Sequence, residues 1–135
     1  MEIVVNKTKT LKAIQDEFQK CFPFLKLEFY SGLHKLGEGS SKKQALNNNL
    51  TVGETPQFKK DSTIEIDKSM KVFELEKAFA NAFGLNIQVF RKSNNMWLQT
   101  TITDNWSLEK QNQNGMEMNT SDTPLPEEND YHEQE

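Results

Sequence analysis

The chain has 135 residues, of which 35% are hydrophobic and 27% charged, and its formal net charge is −4. This length suits one domain of ordinary size, and a single cysteine, Cys21, excludes an intrachain disulfide between these residues. No apolar run approaches the ~20 residues that cross a bilayer. The first residues lack the basic start and apolar run of a secretion signal. We therefore expect a cytoplasmic protein without a membrane segment.

Charge is divided unevenly along the chain. Residues 116–135 contain seven acidic residues and no lysine or arginine. Residues 1–115 therefore carry all 16 basic residues and the other 13 acidic ones, a formal charge of +3. The C-terminal stretch is also rich in Asn, Gln, Ser and Pro, a composition typical of disorder. We predict one α+β domain over residues 1–111 and an acidic, disordered tail over residues 112–135.

The first half begins with an alternating run at residues 2–5, which predicts a half-buried strand. Thr8 or Thr10 can then cap a helix whose apolar residues recur every three or four positions. These apolar residues are Leu11, Ile14, Phe18, Cys21 and Phe22. Pro23 ends the helix because it lacks a backbone N–H, and residues 25–30 alternate again as a second strand.

The central segment is harder to interpret. A turn at residues 31–32 and a weak hairpin strand at residues 33–36 are predicted to end the first unit, residues 2–36. Residues 37–61 are polar and rich in Gly, Ser, Asn and Lys, which predicts a linker. A short helical turn near residues 43–46 is the only regular element expected there.

The second half repeats this order. A strand at residues 63–66 precedes Ser69, a candidate cap, and a helix whose apolar stripe is Val72, Leu75, Phe79, Ala82 and Phe83. Gly84 suits a left-handed helix end. Residues 85–91 and 96–101 form a predicted hairpin around the turn-forming residues 92–95. Ser107 can cap a short helix at residues 108–111.

The two halves align with each other over residues 2–30 and 63–90. The offset is 61 from Ile3 on Ile64 to Phe22 on Phe83, and it becomes 60 where Pro23-Phe24 faces the single Gly84. Each half has an alternating strand, a Thr or Ser before the helix, a Phe and a breaker after it, and another alternating strand. This agreement indicates an internal repeat of a strand–helix–strand unit over residues 2–36 and 63–101.

Two such units in one domain predict a ferredoxin-like sandwich, with both helices on one face of an antiparallel sheet and a C-terminal hairpin strand added. The alternative is another two-repeat α+β fold whose units lie side by side. Either architecture hosts many functions and carries none by itself.

Four aromatic residues are candidates for an interaction surface: Tyr30, Phe90, Trp97 and Trp106. Tyr30 and Phe90 occupy equivalent positions on the predicted face without helices, and Trp97 points away from Met96 and Leu98 on its strand. Trp residues are enriched at binding hot spots. The alternatives are that Tyr30 and Phe90 pack under the hairpin and that both Trp residues close the edge of the core.

No pattern of catalytic, metal-binding or cofactor-binding residues is recognisable. Cys21 is expected to pack on its helix stripe, and the carboxylates Asp16, Glu17, Glu74 and Glu76 are expected to face water. We interpret the chain as a non-enzymatic protein-interaction or regulatory module, whose partner is another protein or a second copy of the chain.

The alternative is a small-ligand-binding or sensory domain with a pocket between the sheet and the central segment. An unrecognised enzyme and a single-stranded RNA binder are kept as further alternatives. RNA binding is disfavoured because Lys26 and Glu28 mix charges where a basic field is needed.

Overall fold

The computed structural model describes residues 1–31 and 45–120. Within them the chain is an α+β domain in which each half contains a strand, a helix and a strand in the predicted order. The elements are β1 (Glu2–Val5), α1 (Leu11–Cys21), β2 (Leu25–Tyr30), a 3-10 helix (Val52–Glu54), β3 (Ser62–Glu65), α2 (Val72–Phe83), β4 (Asn86–Ser93), β5 (Met96–Gln99) and α3 (Leu108–Thr120).

The strands of the described part form two antiparallel sheets. β1 pairs with β3, and β4 lies between β2 and β5. A ferredoxin-like arrangement would place the strands of both units in one sheet, so this prediction is not confirmed, while the broader prediction of an α+β domain is. Hydrophobic periodicity shows which face of a strand is buried, but it does not reveal which strand becomes its neighbour.

Both sheets are centred on residues that correspond in the alignment of the two halves. Ile3 pairs with Ile64 in the first sheet, and Glu28 pairs with Gln88 in the second. When two like strands pair antiparallel about a two-fold axis, the residue at the axis faces its own counterpart. Each of these two sheets thus pairs a strand from the first half with a strand from the second.

The core receives the same contribution from each helix. Phe18 of α1 and Phe79 of α2 are both fully buried in one continuous cluster. The ring of Phe18 lies 5.1 Å from that of Phe22, and the ring of Phe79 lies 5.4 Å from that of Phe83. Burying an aromatic side chain of this size contributes about 2–3 kcal/mol, so the two positions are comparable anchors.

The helices begin differently from each other. Thr10 caps α1, because its hydroxyl accepts the Ala13 N–H at 3.1 Å. Ser69 does not cap α2; its N–H and hydroxyl both donate to Asp67 at 2.9 Å. The backbone N–H of the α2 cap residue, Lys71, donates instead to the Glu74 carboxylate at 2.8 Å. The position of Ser69 in the sequence does not show whether its side chain caps the helix or forms a turn with the residue two positions before it.

The start of each helix is joined to a segment from later in its own half. In the first half this segment is residues 48–53, and in the second it is residues 104–109. The first set of backbone bonds is Leu11 N–H to Leu50 O, Lys12 N–H to Asn48 O, Val52 N–H to Lys9 O and Gly53 N–H to Lys7 O. The second is Val72 N–H to Trp106 O, Phe73 N–H to Asp104 O, Leu108 N–H to Met70 O and Glu109 N–H to Lys68 O.

Helix α3 is longer than predicted. The sequence analysis ended it at Gln111 and placed residues 112–135 in a disordered tail, whereas α3 continues to Thr120. Gly115 lies where a Cβ would stand 2.7 Å from the Phe24 Cβ, and the Asn112 side chain accepts the Phe24 N–H at 2.9 Å. Glycine and asparagine favour turns in isolation, so the helix extension depends on these tertiary contacts.

Other predictions have mixed outcomes. Gly84 ends α2 with a φ of 73°, and the Ser107 hydroxyl accepts the Lys110 N–H at 3.0 Å, as predicted. Cys21 is exposed at the end of α1 rather than packed on its stripe. The weak strand expected at residues 33–36 lies outside the described residues. The turn expected near residues 43–46 is only partly described.

Candidate interaction surface

The sheet β2–β4–β5 has one face that is directed away from the core. Residues alternate along each strand, so Leu25 and Leu27 point inward and are fully buried, while Lys26 between them points outward. Lys26 pairs with Phe90, and Lys92 pairs with Trp97. Cross-strand partners share a face, so Lys26, Phe90, Lys92 and Trp97 form one group, called here the aromatic–lysine surface.

Two ammonium groups approach the indole of this surface. The Lys26 Nζ lies 4.9 Å from the Trp97 ring centroid and 5.6 Å from that of Phe90. The Lys92 Nζ lies 6.0 Å from the Trp97 centroid. Cations at these distances are attracted by the negative face of the ring, by about 0.5–1 kcal/mol at exposed sites. The two lysines thus frame a partly buried indole on the sheet.

The two lysines differ in their ionic partners. Lys26 forms an ion pair with Glu28 at 3.2 Å, and both side chains are about a quarter exposed. The Glu28 carboxylate also accepts from the Gln15 amide at 3.3 Å. Within residues 1–31 and 45–120, Lys92 has no carboxylate within ion-pair distance. Its ammonium is therefore available to a negative group that approaches Trp97.

Tyr30 is not accessible on this surface. It is 6% exposed, pairs with Asn86 and forms an isolated bridge with Ala45. Burial and then the nearby Glu28 carboxylate raise the pKa of Tyr30 to about 12. The hairpin strand β5 pairs with β4 and not with β2, so the structure brings Phe90 and Trp97 together and leaves Tyr30 apart.

Trp106 lies elsewhere, at the start of α3. Its indole has Lys110 at 4.2 Å and the Arg91 guanidinium at 5.5 Å from the centroid. Arg91 alternates with Phe90 and Lys92 along β4, so it points to the opposite face, where it donates to the Gln111 side chain at 2.7 Å. Trp106 therefore belongs to the junction of α3 with β4.

A half-buried carboxylate was missed by the sequence analysis. Glu76 of α2 was expected to face water, but Gln88 of β4 approaches it at 3.5 Å. Burial, opposed by a hydrogen bond from Val89 and reinforced by Asp104, raises the pKa of Glu76 to about 7. The alignment offers a signal that was overlooked, since Gln15 and Glu28 are the counterparts of Glu76 and Gln88.

An open cleft of about 620 Å³ lies between the end of α1, the end of β3 and the start of α3. Lys68 and Glu109 approach each other across it at 3.8 Å. Hydrogen bonds from the Ser69 backbone and hydroxyl lower the pKa of Asp67. The residues that line this cleft include Cys21, Phe22, Glu65, Ile66, Asp67, Lys68, Glu109, Asn112 and Gln113.

The sequence suggested a ligand pocket between the sheet and the central segment. Between the sheet and the described part of the central segment, the cavity beside Tyr30, Leu46 and Thr55 has a volume of about 10 Å³. That is room for about one water molecule. Among the described residues, the α1–α3 cleft offers a ligand-sized space, while residues 32–44, which include much of the central segment beside the predicted pocket, lie outside the described part.

Comparison of the chain with protein-family models, curated proteins and solved structures gave no match. Over residues 1–31 and 45–120, no helix is both long and apolar enough to cross a membrane. The same residues contain no group of three or more His, Cys, Asp or Glu side chains placed to hold a metal ion. What the chain does must therefore be argued from its surfaces.

Proposed function

We propose that the chain is a protein-interaction module that binds an acidic peptide segment of a partner on the aromatic–lysine surface. The observation that carries this proposal is the placement of Lys26 and Lys92 beside the same indole, at 4.9 and 6.0 Å from its centroid. An indole between two ammonium groups offers a partner both apolar contact area and charge.

The chemistry favours a carboxylate-bearing peptide. Lys92 has no carboxylate partner among the described residues, so a Glu or Asp side chain placed near Trp97 would gain a charge-assisted hydrogen bond. Lys26 is already paired with Glu28, which limits the surface to one or two negative groups. A nucleic-acid site would need a broader basic surface that contacts several phosphates.

The scaffold under this surface is, in our proposal, a pair of repeated strand–helix–strand units placed side by side about an approximate two-fold axis. Three observations support it: the register of both sheets, the corresponding bonds at the helix starts, and the matching Phe pairs. The surface combines both halves, because Lys26 belongs to β2 while Phe90, Lys92 and Trp97 belong to the β4–β5 hairpin.

A peptide with alternating Glu and Ser tests the proposal, with the matching Gln and Ser peptide as its neutral counterpart. Fluorescence anisotropy of the labelled peptide measures binding to the full chain at low salt. We expect the paired change Lys26→Gln and Lys92→Gln to weaken binding about tenfold or more, and Trp97→Ala to weaken it at least as much.

The matched control is Lys20→Gln with Lys77→Gln, two exposed lysines on α1 and α2 that change the net charge equally. Thermal unfolding of each variant verifies that the fold is retained. Equal weakening by the control pair, or equal binding of the neutral peptide, would show that the attraction is unspecific and would refute the proposal.

A second candidate function is suggested by the α1–α3 cleft, whose volume of about 620 Å³ lies within the range of small-molecule sites. Three carboxylates, Glu65, Asp67 and Glu109, line the cleft with two cations, Lys68 and the Met1 ammonium, which lies 3.6 Å from Glu65. One negative charge is in excess, so a cationic amine with an apolar part is the matching ligand class. A screen of such amines tests this candidate, since a ligand bound only by the folded state raises the melting temperature.

A further inference from the structure

We infer that the acidic segment 121–135 of the chain binds to its own aromatic–lysine surface and competes there with the partner peptide. This inference rests on the proposed function, because it concerns the same surface. It adds a form of regulation: the partner gains access only when it displaces the segment.

The first argument is position. Near the end of α3, the Asn119 side chain donates to the backbone carbonyl of Lys92 at 3.2 Å and to that of Gly115 at 2.7 Å. Lys92 is the cation of the aromatic–lysine surface that lacks a carboxylate among the described residues. The end of α3 therefore lies against the backbone of β4 at the residue whose side chain, on the opposite face of the strand, belongs to the aromatic–lysine surface.

The second argument is charge and reach. Residues 121–135 contain six carboxylates and no lysine or arginine. Asp122 follows Asn119 by three residues, which span at most ~10 Å when extended. Glu127 follows Asn119 by eight residues, which span up to ~27 Å when extended. This length exceeds the thickness of a strand layer, so the acidic residues can pass from the α3 side of β4 to the face that carries Lys92 and Lys26.

The third argument is effective concentration. A segment that is covalently attached close to its binding site experiences a local concentration in the millimolar range. An intrinsic dissociation constant of about 0.1 mM for the segment would then reduce the affinity for an external peptide about tenfold. A weak contact is sufficient because the segment is always present.

The test uses the full chain with six changes that remove the charges of the segment: Asp122→Asn, Glu127→Gln, Glu128→Gln, Asp130→Asn, Glu133→Gln and Glu135→Gln. The labelled Glu and Ser peptide is again the probe. We expect the neutralised chain to bind it about tenfold more tightly than the wild type at low salt, and we expect this difference to shrink near ~0.5 M NaCl, where charges are screened.

The outcomes separate the two proposals. If both chains bind the probe through Lys26 and Lys92 with equal affinity, the segment does not compete and this inference is overturned, while the proposed function stands. If neither chain binds it, the proposed function fails. Tighter binding by the neutralised chain that persists after Lys26→Gln and Lys92→Gln would mean relief of general repulsion, and would also overturn the inference.

Zero-length carbodiimide crosslinking shows whether the aromatic–lysine surface holds the segment of the same chain or that of a second copy. Links from Lys92 or Lys26 to the carboxylates of residues 121–135 within a chain of monomer mass are expected, and they should disappear in the Lys26→Gln and Lys92→Gln chain. Links found only at dimer mass would assign the surface to the segment of a second copy. That result would contradict competition within one chain.

Discussion

The two halves of the molecule share a backbone arrangement and differ in what they place on it. Each has a strand, a helix that carries two neighbouring Phe rings, and a second strand, with corresponding bonds at the helix start. In the described part of the chain, the first half adds a three-residue 3-10 helix, and the second adds the β4–β5 hairpin and the thirteen-residue α3. Residues 32–44, which follow β2, lie outside the described part.

Side chains at corresponding positions of the two halves also differ in chemistry although their backbone bonds correspond. Leu50 and Trp106 both accept the first backbone bond of a helix through their carbonyls, but only Trp106 brings an indole with cations beside it. Gln15 and Glu28 in the first half become Glu76 and Gln88 in the second, which moves the carboxylate from the sheet to the helix. Residues at corresponding positions thus differ in their chemistry, and the candidate binding surface combines Lys26 of the first half with Phe90, Lys92 and Trp97 of the second.

The largest expected effect tests whether the two halves contribute equally to the core. Phe18→Ala and Phe79→Ala should each lower the free energy of unfolding by about 3–5 kcal/mol, the usual cost of removing a buried aromatic ring. Urea denaturation measures both. Phe→Leu at each position serves as the milder variant if the Ala chains do not fold. A loss at one position several times that at the other would break the equivalence of the halves.

Glu76 of α2 is a carboxylate where the first half has the amide Gln15. Burial raises the pKa of Glu76 to about 7 in the folded chain, from the ordinary value of 4.5, so the folded state binds more protons than the unfolded state between these two values. The free energy of unfolding should therefore fall as pH rises from about 4.5 to about 7 and level off above it.

Replacing this carboxylate by an amide removes the cost of burying its charge. Glu76→Gln should stabilise the chain at pH 8 by on the order of 2 kcal/mol and have little effect near pH 4. Denaturant unfolding at the two pH values gives the comparison. A stabilisation that is the same at both would show that the side chain is solvated in the folded state.

Gly115 tests the packing of the extra helix α3. Gly115→Ala gains helix propensity but places a methyl group at the 2.7 Å contact with Phe24, so we expect a net destabilisation of about 1–2 kcal/mol. Gln113→Ala, at an exposed α3 position, is the control and should be neutral or slightly stabilising. Thermal unfolding followed by circular dichroism records both, and stabilisation by Gly115→Ala would contradict the close approach.

The smallest effect concerns the two helix starts. Thr10→Ala should cost about 1 kcal/mol, because the Ala13 N–H loses its side-chain acceptor. Lys71→Ala, at the corresponding cap of α2, should cost less, since the bond to Glu74 uses the backbone N–H of residue 71. Denaturant midpoints distinguish the two values. Equal costs would mean that the caps are equivalent despite their different donors.

The elements of the fold were largely readable from the sequence. Alternation at Ile3 and Val5 and the stripes through Phe18 and Phe79 are local patterns, and they reported correctly which side chains are buried. The strand neighbours were not readable, because β1 pairs with a strand about sixty residues away and no local pattern encodes this choice. The extent of α3 was missed for the same reason, since Gly115 appears as a breaker until Phe24 is beside it.

The sequence identified four aromatic residues as candidates for a surface, but it did not show which of them lie together. Aromatic content and alternation identified Tyr30, Phe90, Trp97 and Trp106 as positions of interest. Whether they meet depends on the strand order β2–β4–β5, which brings Phe90 and Trp97 together and separates Trp106 onto the other side of β4. The lysines beside Trp97 come from two different strands, so no spacing in the chain could group them.

Sequence by itself therefore determined the secondary structure, the buried faces and the separation of a basic body from an acidic end, because each of these follows from residue type and short-range period. Tertiary structure alone decided the pairing of the sheets, the length of α3, the burial of Glu76 and the meeting of Lys26, Lys92 and Trp97. These features arise from contacts between residues far apart in the chain, and their energies depend on neighbours that folding supplies.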